Sequence, residues 1–152
     1  MEQLWQKRGD GMEGGTSYEE NHTPELIKAA IRAREGAYCP YSGFAVGAAL
    51  RAKDGSVFTG CNIENASFSP SCCAERVAFF NAVSSGATDF EQIVVVGGKK
   101  GEDMVETTPC GVCLQVMLEF CDPDTFEVVS VRATGEYEVR RLTELLPYGF
   151  RL

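Results

Sequence analysis

Three of the seven cysteines fall at the starts of two predicted helices, and this placement constrains the fold more than any other feature of the chain. Cys73 opens the run CAERVAFFNAVS, while Cys110 and Cys113 sit in the first turn of CGVCLQVMLEF. Helix N-termini carry partial positive charge that lowers the pKa of a nearby thiol, so thiolates from two helix ends can face one ion. The C-x-x-C spacing of Cys110 and Cys113 lets two of them grip a tetrahedral metal. An odd cysteine count behind an N-terminus with no apolar signal-peptide core argues against a disulfide framework. Cys39, Cys61 and Cys121 are expected to pack as small apolar residues. Cys72 is expected to point away from the ion, because adjacent residues at a helix start diverge. The sole histidine, His22, precedes a predicted helix in a polar segment and is read as solvated, not as a ligand.

The hydrophobic pattern supplies the frame around these thiols. Thr23 and Pro24 suit an N-cap and first helical residue, and Leu26, Ile27, Ala30 and Ile31 recur at helical spacing to about Arg34. Phe44, Val46, Ala48 and Leu50 alternate at period two, Asp54-Gly55 is a turn pair, and Val57 to Ile63 is again strand-like, which predicts a hairpin. The helix from Cys73 to about Ser84 is followed by the wholly apolar strand Ile93 to Val96, then by the helix from Cys110 to about Phe120. A further strand is predicted at Phe126 to Arg132 and a short last helix before Pro147. A hairpin followed by alternating helices and strands implies an α/β fold, a three-layer α/β/α sandwich on a mixed five-stranded sheet. Residues 1–20, with four glycines among charges and no sustained period, are expected to be a mobile tail, and residues 21–152 one domain.

Composition narrows the function classes. With 152 residues, 44% of them apolar, the chain can bury one substantial core. A net charge of −8 and a pI near 4.7 oppose binding to polynucleotides or anionic membranes. No apolar stretch approaches the ~20 residues that span a bilayer, and the cytoplasm is the expected compartment.

Zinc suits three thiolates, and three protein ligands leave the fourth position open for water, the mark of a catalytic centre. Glu75 lies two residues after Cys73, placed to carry protons instead of binding metal. Zinc, three thiolates and a hydroxide together carry net negative charge, a poor Lewis acid unless neighbours drain it, and Arg76 and the two helix ends can do so. A His or Cys ligand with Glu two residues on, followed by P-C-x-x-C, is the signature of zinc deaminases. Here it reads Cys73-Ala74-Glu75 and Pro109-Cys110-Gly111-Val112-Cys113.

The chain resembles the small, three-cysteine, homotetrameric cytidine deaminases. AYCPYSGFAVGAAL at 37–50, TGCNIENASF at 59–68, CAER at 73–76, PCGVCLQVM at 109–117 and ELLPYGF at 144–150 are similar to family blocks, in family order. The resemblance implies one zinc per chain on Cys73, Cys110 and Cys113, with Glu75 as the proton shuttle in hydrolytic deamination of cytidine and deoxycytidine. It further implies that Asn62 and Glu64 bind the ribose hydroxyls, that Phe44 flanks the base, that Ala74 contacts the substrate, and that Arg76 donates to the thiolates. Phe68 and Phe150 would reach a neighbouring subunit's pocket in a homotetramer. Two positions depart from the family pattern: Leu114 stands where arginine is common, and Phe68 keeps the ring of a common tyrosine without its hydroxyl. Deamination of a nucleoside antibiotic such as blasticidin S, or a non-catalytic zinc-stabilised nucleoside-binding module, are the alternatives at this point.

Overall fold

A computed structural model describes residues 4–8 and 21–152. In chain order the elements are β1 (Gln6–Lys7), α1 (Thr23–Glu35), β2 (Phe44–Ala52), β3 (Val57–Cys61), α2 (Ala74–Ser84), β4 (Phe90–Lys99), α3 (Gly111–Phe120), β5 (Glu127–Val131), β6 (Glu136–Arg141) and α4 (Leu142–Leu145). They build one mixed sheet of order β1-β6-β5-β4-β2-β3. The sheet therefore has six strands, not the five expected. β2 is antiparallel to both β3 and β4, β4 and β5 are parallel, and β5 and β6 are antiparallel. The parallel pair is joined across α3, as parallel neighbours require a crossover.

Two of these strands differ from the sequence expectation. β6, EYEVRR, is missed because four of its six residues are charged, and it is a strand because Gly135 turns the chain at a φ of 86° back onto β5. β1 lies inside the expected tail, where Gln6 and Arg8 donate backbone hydrogen bonds to Gly135 and Tyr137 of β6. Residues 1–3 and 9–20 of that expected tail lie outside the described residues.

Strand alternation divides the core in two. Along β4, Ile93 and Val95 face the layer of α2, α3 and α4, while Val94 and Val96 face α1. Phe79 of α2, fully buried, packs edge-on to Phe90 at 5.2 Å and near Phe120 and Phe126 at about 6 Å. The α/β/α layering expected from the sequence is present.

Glycine permits the close approach that sets the site. A Cβ on Gly60 of β3 would lie 2.4 Å from the Ala74 carbonyl oxygen and 2.5 Å from the Ala78 nitrogen. The bare backbone thus lets the first turns of α2 lie against the sheet, and Cys73 immediately precedes them. At the start of α1 the cap position belongs to His22, not Thr23. The Thr23 hydroxyl instead donates inward to Gln92 Oε1 at 3.2 Å.

Candidate active site

Cys73 and Cys110 occupy the N-cap positions of α2 and α3, both with extended backbone and neither capping its helix with a side-chain hydrogen bond. Their thiols are consequently available to one another. Cys73 Sγ lies 3.8 Å from Cys110 Sγ, which lies 3.5 Å from Cys113 Sγ, and all three fall within 4.8 Å. A tetrahedral ion with Zn–S bonds of about 2.3 Å separates its sulfurs by about 3.8 Å, so these residues fit zinc as they stand. Cys113 is buried, Cys73 half-buried and Cys110 exposed, which leaves one side of the cluster open.

The electrostatics favour thiolate at the α2 end. Hydrogen bonds from Cys113 and Arg76 bring the Cys73 thiol down to about 5 against the opposing effect of burial. Arg76 Nη2 donates to Cys73 Sγ and to the Ser71 carbonyl oxygen, both at 3.4 Å. The Cys113 thiol is pushed up, first by its bond to Cys73 and then by burial. The proton between these two sulfurs thus stays on Cys113 and the negative charge on Cys73, and a dication bound here would displace thiol protons.

Glu75, 4% exposed, lies in the first turn of α2 with its side chain against Cys113. Burial, with a smaller contribution from the Cys73 charge, pushes its carboxyl up to about 7, against its backbone hydrogen bond and the Arg76 charge. A carboxyl poised there can both take and return a proton near neutrality.

Beside the thiols runs a cleft of about 560 Å³. Of the expected contact residues, Asn62, Glu64, Phe68, Cys73 and Arg76 line it; among the described residues Phe44, Ala74 and Phe150 do not. Ala74 is fully buried, Phe150 is 68% exposed and Phe44 begins β2 with its backbone N–H and C=O tied to Ser42 and Asn62. Phe68, 76% exposed, holds a φ of 49°, a left-handed conformation that costs a bulky residue energy. Cys72, Ile63 and Val112 also line the cleft. Sequence periodicity places Val112 on the apolar side of α3 with Val116 and Phe120, yet it is 59% exposed. Its position between the two cysteines of PCGVC is the signal that identifies it.

The model of the cytidine and deoxycytidylate deaminase zinc-binding region matches residues 20–129. The chain belongs to this family. It is 51% identical over 125 residues to a cytidine deaminase of Halalkalibacterium halodurans, covering 82% of this chain and 91% of that one. A cytidine deaminase of Sporosarcina psychrophila is 45% identical over 126 residues, covering 83% and 89%. The crystal structure of cytidine deaminase from Burkholderia pseudomallei superposes with a TM-score of 0.75 at 48% identity, covering 83% of this chain and 97% of that one. The family match begins at residue 20 and includes both cysteine motifs. As a zinc-binding deaminase domain with its three thiols gathered, the chain uses zinc as its cofactor. Leu114 is buried in the core, and Arg76 supplies a cation that bonds the cluster.

Proposed function

We propose that residues 21–152 act as one catalytic domain that hydrolytically deaminates cytidine and deoxycytidine to uridine and deoxyuridine, releasing ammonia. The observation that carries this reading is the convergence of three thiols within 4.8 Å beside a buried carboxyl whose pKa is raised to about 7. Cys73, Cys110 and Cys113 hold the metal, and Arg76 with the two helix ends offsets the thiolate charge. Zinc, when bound, supplies Lewis-acid activation of the water that attacks C4 of the cytosine ring. Glu75 takes a proton from that water and delivers it to N3, making the ring a better electrophile. Glu75 then takes the proton of the hydroxyl added at C4 and passes it to the exocyclic amine, so that the C4–N bond breaks, the C4 carbonyl forms and ammonia leaves.

Asn62 and Glu64, at the cleft wall, receive the sugar hydroxyls, whereas the base contacts that the resemblance implies for Phe44 and Ala74 fall outside the residues lining the cleft. Nucleosides suit the acidic chain better than nucleotides, and the reading assigns the reaction to pyrimidine salvage in the cytoplasm. Among the described residues no helix is long and apolar enough to cross a membrane. The exposed rings of Phe68 and Phe150 support a homotetramer in which each reaches a neighbouring pocket.

Ammonia release measured on cytidine, deoxycytidine and blasticidin S tests the reading. The two pyrimidine nucleosides should turn over, and serine at Cys73, Cys110 or Cys113 should lower zinc content by elemental analysis. Turnover of blasticidin S alone would replace the substrate, and a zinc-loaded chain inert to all three would make it a binding module.

A further inference from the structure

The carboxylate expected to receive the sugar is already heavily engaged. Glu64 Oε2 accepts the backbone N–H of Tyr41 at 2.9 Å and of Ser42 at 3.2 Å, and Glu64 Oε1 accepts the Ser42 hydroxyl. A carboxylate offers about four lone-pair sites, so these three bonds leave about one for a ligand. Which direction that one faces depends on what holds the other three.

Ser42 is the residue with a choice, because a serine hydroxyl rotates and carries a single proton. Here the choice is removed. The Phe44 backbone N–H donates to Ser42 Oγ at 3.0 Å, which occupies a lone pair and leaves the proton directed to Glu64. The Phe44 carbonyl in turn accepts from Asn62 Nδ2 at 2.8 Å, while Asn62 Oδ1 accepts the Val46 N–H at 2.8 Å. The two cleft residues assigned to the sugar are thereby fixed to one turn, 41–44, through its backbone and one hydroxyl.

We propose that Ser42 is a positioning residue for sugar recognition, its hydroxyl locking the Glu64 carboxylate so that its free lone pair faces the nucleoside's sugar hydroxyls. This inference rests on the deaminase reading and on the sugar role given to Glu64. The hydrogen bonds also keep Glu64 ionised: the Ser42 hydroxyl foremost, with the two backbone N–H groups, holds its carboxyl below the usual range despite some desolvation. An ionised carboxylate is the stronger acceptor for a sugar hydroxyl. Ser42 is exposed and lies outside the core clusters, so removing its hydroxyl leaves the buried packing intact.

The test compares Ser42→Ala and Ser42→Thr with the unaltered zinc enzyme on cytidine and on 2′,3′-dideoxycytidine, which lacks the sugar hydroxyls at issue. Ser42→Ala should raise KM for cytidine roughly 5- to 10-fold with kcat changed less than about twofold, the scale of one charge-assisted hydrogen bond. KM for the dideoxynucleoside should stay within about twofold. Ser42→Thr, which keeps the hydroxyl, should restore the cytidine KM, and adding Ser42→Ala to Glu64→Gln should cost nothing further. Unchanged cytidine KM in Ser42→Ala overturns the inference, as does an equal rise on both nucleosides, which would mark a general loss of the turn. Those outcomes leave the deaminase reading standing. Failure of the unaltered enzyme to release ammonia from cytidine removes that reading and the inference with it.

Discussion

Glu75 sits two residues after Cys73 yet stands outside the three-thiol cluster, and burial is the largest cause of its raised carboxyl pKa. Its neighbour in sequence, Arg76, bonds the Cys73 sulfur, so in the proposed mechanism consecutive residues on one helical turn divide proton transfer from charge compensation. Glu75→Gln keeps the shape of the side chain and removes its basicity. The variant should retain zinc and its melting temperature while deamination falls by at least ~10²-fold, the usual loss for a general base. Normal turnover of cytidine by this variant would move the proton shuttle to another residue. Cys121 illustrates the opposite fate of a thiol: burial in the α2–α4 layer pushes it up to about 12, so it packs as an apolar group.

Helix placement decides whether three correct residues make a centre. The thiols at the starts of α2 and α3 meet within 4.8 Å, and Gly60 removes the side chain that would hold α2 away from the sheet. Gly60→Ala puts a methyl group against the Ala74 carbonyl and the Ala78 nitrogen, contacts that backbone cannot yield cheaply. We expect a loss of about 1–3 kcal/mol in denaturant unfolding and weaker zinc retention, since Cys73 moves with the helix start. Unaltered stability and zinc content in Gly60→Ala would show that α2 is seated by other contacts. β6 shows the limit of pattern reading at this scale: Tyr137, 3% exposed, is its buried anchor, and the charged residues around it mask the alternation.

The whole molecule presents a cleft with one exposed ring, Phe68, in its lining, and two more exposed rings near the C-terminus. Phe68 bears backbone strain while 76% exposed, Tyr148 is 95% exposed, and Phe150 is held near the surface by its carbonyl, which accepts Gln115 Nε2 at 2.9 Å. Strain and apolar exposure on one chain are offset when the rings are buried by another. Light scattering should therefore give a mass near four chains, and deleting residues 150–152 should raise KM for cytidine without loss of zinc. A fully active monomer at assay concentration would refute the shared pocket.

The sequence alone determined the identity of the metal ligands, the acid beside them, the α/β/α layering and the family, because each depends on short-range spacing: a turn of helix, a strand's alternation, a C-x-x-C. It determined the chemistry available but not its arrangement. Only the tertiary structure set how closely Cys73 and Cys110 approach across 37 positions, counted β1 and β6 into the sheet, and showed Asn62 and Glu64 bonded to the 41–46 segment. These are contacts between residues distant in sequence, fixed by which backbones can approach and which polar groups must find partners once water is excluded, and no local pattern encodes them.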